Sequence, residues 1–158
     1  MAFQLLINLF VALLWMFLQD EWSFLTLFTG YLIGLAVIFG LRRFFPTAFY
    51  LRTVYAAFKL VLIFHREAVV SGVLVAKQGL YPKLKITPGI FELETTLKKE
   101  WEVVVLALLL TLTPGSTVIE ISPKRDKLYL HGMDIPDSQD AVIKSTVVYE
   151  KAIREVSR

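Results

Sequence analysis

The chain has 158 residues, enough for one or two structural units, and 56% of its residues are hydrophobic. Its mean hydropathy is +0.60, and both values exceed what a soluble domain needs, so the composition indicates a membrane protein. The absence of cysteine excludes disulfides and metal sites built from thiolates.

Charge is divided unevenly between the two halves of the chain. Residues 1–78 carry six basic and three acidic side chains, whereas residues 79–158 carry eleven of each, so the whole excess of +3 belongs to the first half. A small basic excess among apolar segments favours a patch beside a lipid bilayer and argues against a nucleic-acid partner.

Two apolar segments open the chain, Ala2–Leu18 and Trp22–Leu41, and neither contains a charged residue. Each approaches the roughly 20 residues that a helix needs to cross about 30 Å of hydrocarbon. Because Gln19–Glu21 between them is a minimal turn, residues 1–45 are predicted to form a transmembrane helical hairpin. The mature chain is expected to begin at Met1, since the first segment lacks the basic start and the small-x-small cleavage site of a signal peptide.

Basic residues near the ends of these segments predict their orientation. None precedes the first segment or lies in the turn, whereas Arg42, Arg43 and Arg52 follow the second. The positive-inside bias therefore places that end, and the N-terminus with it, in the cytoplasm.

Small residues mark one face of the second segment, because Thr26, Gly30 and Gly34 recur every four residues. Such a face lets a neighbouring helix approach closely, and packing of this kind holds helices together in lipid. We expect it to pack either against the first segment or against a helix of a partner subunit.

A third helix is predicted from Tyr50 to Lys77, within residues 46–78. Its basic side chains fall within one narrow sector, and apolar residues fill most of the rest. The four are Arg52, Lys59, Arg66 and Lys77. A stripe of this kind suits a helix lying in the plane of an anionic leaflet. The alternative is a tilted third transmembrane helix with its charges buried against partners, which would move the rest of the chain outside.

An ion path through a bilayer normally needs carboxylates, lysines or histidines at membrane depth, and the first two segments have none. The third helix contains four candidates: Lys59, His65, Arg66 and Glu67. They are interpreted either as an interfacial charge cluster or as part of an ion path.

Residues 79–158 have the pattern of a small α+β domain with the order β-α-β-β-α, expected on the cytoplasmic side. The apolar run Trp101–Leu112 is too short for a membrane span and predicts a buried helix, which Pro114–Gly115 ends. Alternating residues then predict a β-hairpin, and a helical pattern follows it. The predicted segments are strand-like pieces at Lys85–Thr87 and Phe91–Thr95, strands at Thr117–Ser122 and Lys127–His131, and a helix at Asp140–Val156 with Asp137 as its candidate N-cap.

Catalytic patterns are absent from the sequence. His65 and His131 lie in different units, and the serines have no neighbouring base, so we predict no enzyme, no catalytic residue, no cofactor and no metal site. The turn Thr113–Thr117 can cradle an anion with backbone N–H groups. A plain helix-to-strand turn needs the same proline and glycine, and we favour that interpretation.

The segment TLTPGSTVIEIS, followed by LYLHGMDIP, resembles the signature of the MrpE or MnhE family, the E-type subunits of the multisubunit Mrp-type Na+/H+ antiporters. The residues that carry the resemblance are Thr111, Thr113, Pro114, Gly115, Ser116, Thr117, His131 and Asp134. Asn8, Trp15, the basic turn after the second apolar segment and the chain length also fit, so the resemblance covers nearly the whole chain. Ser116 stands where a threonine is also common, and it keeps the hydroxyl.

The resemblance implies an accessory subunit of a hetero-oligomeric Na+/proton antiporter in a bacterial plasma membrane, which supports sodium resistance and pH homeostasis. Its implied partners are the other antiporter subunits, of which the larger ones, similar to those of respiratory complex I, carry most of the antiport. The alternative function is a membrane-tethered ligand-binding or regulatory domain acting outside an antiporter, with the proline-glycine turn as its site.

Overall fold

A computed structural model describes residues 2–45, 49–80, 86–135 and 137–157. The described chain is mostly helical, with one antiparallel sheet of three strands. It divides into two compact units, residues 1–55 and residues 56–158.

The first unit is a helical hairpin with the beginning of a third helix. Helix α1 spans Ala2–Gln19 and α2 spans Phe24–Gly40; a single 3₁₀ turn, Arg42–Phe44, follows, and α3 spans Tyr50–Gly79. The side chain of Ser23 caps α2 by accepting a hydrogen bond from the N–H of Thr26 at 3.2 Å. The two helices that the sequence predicts in this region therefore form, although α2 begins two residues later than the apolar segment.

Helix α1 fills the groove along the small residues of α2. A Cβ added to Gly34 would lie 1.9 Å from Oδ1 of Asn8, and one added to Gly30 would lie 2.9 Å from the carbonyl oxygen of Ala12. Thr26, on the same face, is buried. The two helices thus lie closer together than any larger side chain at these glycines would allow.

Polar side chains lie inside this unit. Nδ2 of Asn8 donates to the hydroxyl of Tyr50 at 2.6 Å, and Oε1 of Gln4 accepts from the N–H of Tyr50 at 2.9 Å. The hydroxyls of Tyr50 and Tyr31 are 2.8 Å apart. Because Gln4 and Asn8 are fully buried, this network joins α1, α2 and the start of α3 where water cannot replace it.

Across residues 2–45, 49–80, 86–135 and 137–157, no helix combines the length and the apolar character that crossing a membrane requires.

The second unit has the predicted order of elements. The elements follow one another in the order β1-α4-β2-β3-α5. The strands are β1 (Gly89–Glu94), β2 (Ser116–Ile121) and β3 (Lys127–Gly132), and the helices are α4 (Glu100–Leu112) and α5 (Asp137–Ser157). The sheet order is β1-β3-β2, with both pairs antiparallel, so β3 is central. The register of β2 shifts between Val118 and Glu120, which leaves one extra residue as a bulge.

One face of the sheet and the two domain helices enclose the core. The buried hydrophobic side chains are Phe91, Leu93, Leu97, Val103, Leu106, Ala107, Leu110, Leu128, Leu130, Val142, Tyr149 and Ile153. Three side chains of α3, Leu60, Ile63 and Phe64, pack against this cluster. The part of α3 beyond residue 55 is therefore a wall of the domain core.

Two local predictions in this unit were wrong. One strand replaces the two strand-like pieces: β1 begins at Gly89, because Pro88 has no N–H to give to a sheet ladder. Ile86 and Thr87 lie outside any strand, and Lys85 lies outside the described residues. Asp137 is the first residue of α5 and not its N-cap, so the helix starts three residues before the predicted Asp140.

Candidate functional site

The turn that carries the sequence signature joins α4 to β2. Its first hydroxyl, that of Thr113, donates to the carbonyl of Leu109 at 2.7 Å, and the N–H of Thr113 donates to the same carbonyl at 3.1 Å. The hydroxyl of Ser116 donates to the carbonyl of Leu110 at 3.2 Å. Side chains of the turn thus satisfy the carbonyls that the end of α4 leaves without helical partners.

Further contacts hold the far side of the turn. The N–H of Met133, after β3, donates to the carbonyl of Gly115 at 3.0 Å, and the N–H of Val118 donates to Oγ1 of Thr111 at 3.3 Å. The hydroxyl of Tyr149 on α5 lies 3.1 Å from Oγ1 of Thr113. Burial raises the pKa of Tyr149 above its ordinary value, the bond to Thr113 opposes that rise only in part, and the phenol stays protonated at neutral pH.

The other signature residues lie close to the turn but have different environments. His131 is exposed on β3, paired in register with Thr117 on one side and Ile90 on the other. Asp134 follows β3, and its carboxylate accepts from the N–H of Thr87 at 2.9 Å and from Nε2 of Gln78 at 3.4 Å. The structure therefore brings the signature residues together around one end of the sheet, where Asp134 connects the end of β3 to the end of α3.

Two cavities share the turn as a common wall. The larger, about 570 Å³, lies between α3, the turn and the beginning of α5, with Glu67, Lys77 and Lys144 at its rim. The smaller, about 420 Å³, lies on the other side, where Thr117 and His131 line it. The hydroxyls of Thr113 and Ser116 already bond to the end of α4, so these two groups hold the turn in place. The anion cradle of backbone N–H groups stays a prediction.

The candidate charges of α3 do not converge on one site. Nζ of Lys59 bonds to Glu155 of α5 at 2.8 Å, and Arg66 lies 3.8 Å from Glu67 in a longer ion pair. His65 is exposed, with Nδ1 2.8 Å from the carbonyl of Val61 in the preceding turn. Among the described residues, no three histidine or carboxylate side chains come close enough to hold a metal ion.

Comparison with known proteins identifies the family. A family model described as Na+/H+ ion antiporter subunit matches residues 8–156. The chain belongs to this family of antiporter subunits. The E subunit of a Na+/H+ antiporter from Bacillus subtilis (strain 168) is 48% identical over 158 residues, with 100% of both chains covered. The corresponding E subunit from Alkalihalophilus pseudofirmus (strain ATCC BAA-2126 / JCM 17055 / OF4) is 36% identical, again with 100% of both covered.

A solved structure contains a similar chain. The membrane-bound sulfane sulfur reductase, an archaeal respiratory membrane complex, contains a chain that is 26% identical, with a TM-score of 0.57 and coverage of 97% of this chain and 98% of that one. The resemblance read from the turn signature is confirmed. The antiporter subunit is a component of a transporter rather than a known enzyme, and its family implies a membrane location.

Sequence analysis missed one polar cluster in the antiporter subunit, centred on Glu150 of α5. Its carboxylate accepts from the hydroxyl of Thr95 at 2.7 Å, from the N–H of Thr96 at 2.9 Å, from the hydroxyl of Thr96, and from Arg154 at 3.2 Å. A signal was present in the sequence, because Glu150 lies eight residues after Val142 and three before Ile153, and therefore on the apolar stripe of the helix. A charge on such a stripe needs partners, and here they come from the segment after β1.

Replacing Gly115 by alanine tests how tightly the signature turn is built. Gly115 has a φ of 99°, which L-residues rarely adopt, and a Cβ there would lie 3.3 Å from Cγ2 of Val75. We expect Gly115→Ala to lower the free energy of opening of β2 by about 1–3 kcal/mol, measured by amide hydrogen exchange of the full chain in detergent. Gly72→Ala is the matched control, because its Cβ meets open space within a helix. Equal protection in the two variants would show that the turn tolerates a side chain.

Proposed function

We propose that this protein is an accessory, membrane-anchored subunit that assembles with the ion-carrying subunits of a Na+/H+ antiporter and supports sodium resistance and pH homeostasis. The observation that carries the proposal is the distribution of polarity in the hairpin of α1 and α2. Its interior holds the polar side chains, and its exterior holds the large apolar ones.

The contrast within α1 is sharp. Phe3, Phe10 and Phe17 are between 65% and 71% exposed, whereas Gln4 is 1% exposed and Asn8 is not exposed at all. A protein surrounded by water buries its phenylalanines first, because apolar surface exposed to water is unfavourable. This reversed arrangement supports lipid tails, or the apolar helices of partner subunits, as the surroundings of the hairpin.

The transported ion is assigned to partner subunits. The segments Ala2–Leu18 and Trp22–Leu41 contain no carboxylate, lysine, arginine or histidine, and a path for protons or sodium through a bilayer normally uses such groups. Of the charged candidates on α3, Lys59 is already paired with Glu155 of the domain. This supports a role in assembly over a role in conduction.

Helix α3 is proposed to lie at the membrane surface. Leu60, Ile63 and Phe64 belong to the same core as the sheet, so a transmembrane α3 would draw the sheet and its charged loops into the hydrocarbon. The opposite side of the helix exposes apolar side chains, among them Phe58, Leu62 and Val69, which suit the outer part of a leaflet. We propose that α1 and α2, which at 18 and 17 residues lie at the short end of the lengths that cross a bilayer and do not qualify as spans one by one, cross as a packed pair. The N-terminus and the α+β domain would then both lie in the cytoplasm.

Cysteine accessibility in intact cells tests this topology, and the chain supplies a background without cysteine. We expect a single cysteine at Glu21, in the turn of the hairpin, to react with an impermeant maleimide from outside. Single cysteines at Lys124 and Lys151, both exposed in the domain, should react only after permeabilisation. Labelling of the domain positions from outside would mean that α3 crosses the membrane, and protection of all three from outside would contradict a hairpin that crosses twice.

A further inference from the structure

One face of the sheet carries exposed side chains and is left open by the described helices of the domain itself. The core side chains of β1 and β3, such as Phe91 and Leu130, point to the face that α4 and α5 cover. The alternate side chains point the other way. We call this second side the outer sheet face, defined by Ile90, Glu92, Glu94, Thr117, Glu120, Lys127, Tyr129 and His131.

The strand register places an aromatic ring between two carboxylates on this face. Tyr129 of the central strand pairs with Glu92 on β1 and with Glu120 on β2. Directly opposed residues of neighbouring strands have their Cβ atoms about 5 Å apart, so both carboxylates lie beside the ring. The bulge in β2 creates this arrangement, because it shifts Glu120 into the register of Tyr129.

The charge of the outer sheet face is opposite to that of the chain as a whole. The face carries three carboxylates and one ammonium group, that of Lys127, which bonds to Glu92 at 2.5 Å. Glu94 lies opposite Lys127 in the strand register, but within the described part of the chain neither Glu94 nor Glu120 forms a direct ion pair. Since the chain carries a net charge of +3, this face is a local acidic surface on a chain of opposite net charge.

These charges determine which kind of partner fits. An anionic leaflet would be repelled by the carboxylates, as would a nucleic acid. A guanidinium or ammonium group, in contrast, gains from the face of an aromatic ring and from flanking carboxylates at the same time. Ile90, which is 66% exposed on the same face, offers apolar contact to the stem of a long basic side chain.

We propose that the outer sheet face docks a basic segment of another antiporter subunit, with an arginine or lysine side chain seated over Tyr129 between Glu92 and Glu120. The proposal rests on the assembly proposed above and names the surface and the chemistry of one contact within it. It assigns to the domain a task in holding the complex together that is separate from the packing of the hairpin.

Photo-crosslinking in the assembled complex tests the docking. A benzophenone amino acid would replace Ile90, on the outer sheet face, or Lys124, in the turn between β2 and β3, in a tagged full-length chain produced with all other antiporter subunits. We expect position 90 to link to a segment rich in lysine or arginine from another subunit. The double variant Glu92→Gln, Glu120→Gln should lower the crosslinking yield about tenfold, because it removes two ion pairs with the basic side chain and the negative charge on both sides of the Tyr129 ring.

The matched control also removes two carboxylates, through Asp20→Asn and Glu21→Gln in the turn between α1 and α2. Asparagine tolerates the positive φ of position 20, so we expect this control to keep the full crosslinking yield. Equal linking from positions 90 and 124, linking to lipid, or a yield that the Glu92 and Glu120 changes leave intact would overturn the docking proposal while the complex still copurifies. If the tagged chain copurifies with no other subunit, the proposed function itself is wrong.

Discussion

Replacing Gly34 by alanine is expected to destabilise the hairpin by about 1–3 kcal/mol, the largest effect of any single methyl group in the first unit. In an exposed helix the same change stabilises by about 1 kcal/mol. Here the new Cβ would lie 1.9 Å from Oδ1 of Asn8, which is buried and has nowhere to move without breaking the bond from Nδ2 to Tyr50. Thermal unfolding of the purified chain in detergent, followed by circular dichroism of the helices, measures the effect.

Two further variants separate the clash from the change in helix propensity. Gly40→Ala in the same helix meets no atom within 4 Å and should leave the midpoint unchanged or raise it. Asn8→Ala removes the side chain that Gly34→Ala strikes, so the double variant should lose less stability than the sum of the two single changes. Additive losses would show that α1 and α2 do not meet at Gly34.

The hairpin shows how far sequence patterns reach. The spacing of Thr26, Gly30 and Gly34 predicted a face for close packing, but two occupants fitted that face equally well. Spacing alone does not give the partner, because a groove between small residues suits any helix that offers a matching surface. The network of Gln4, Asn8 and Tyr50 was also beyond prediction, since it joins residues more than 40 positions apart.

In the domain, local patterns predicted elements and left their assembly open. The helix after Lys99 and the hairpin of β2 and β3 agree with their predicted ranges within one residue, because each is marked by a strong apolar period and a proline or glycine boundary. The position of β1 beside β3, which places Glu92 next to Tyr129, depends on contacts that are distant in sequence. The signature turn was recognised from its residues, while its bonds to Tyr149 and Met133 required the fold.

Glu150→Ala is expected to lower the stability of the domain by about 2–4 kcal/mol, because it leaves the hydroxyls and N–H groups of Thr95 and Thr96 without their acceptor. The Glu150 residue is 9% exposed, and its donors come from the segment that connects β1 to α4. The loss should therefore appear first in that segment. Amide hydrogen exchange of β1 and α4 in the full chain provides the measurement, with Glu94→Gln on the exposed side of β1 as the control. If β1 in Glu150→Ala were as protected as in the unmodified chain, Glu150 would not be holding the segment after β1 in place.

The same carboxylate gives the domain a dependence on acid whose sign follows from its pKa. Burial alone would raise the pKa of Glu150, but the hydrogen bonds from Thr95 and Thr96 and the charge of Arg154 outweigh it and hold the pKa below its ordinary value. A lowered pKa means that the carboxylate stabilises the folded domain above the ordinary glutamate pKa of about 4.3. This contribution to stability is lost as pH falls through the pKa of the folded state.

Glu150→Gln should therefore lower the stability of the domain at neutral pH and make its decline below about pH 4.3 less steep. Part of the decline should persist, because Glu102 at the start of α4 also has a lowered pKa. Burial acts to raise that pKa, but hydrogen bonds, among them those from Ser157 and Lys99, outweigh it. A Glu150→Gln variant that loses as much stability between pH 5 and pH 3 as the unmodified chain would place the acid-sensitive group elsewhere.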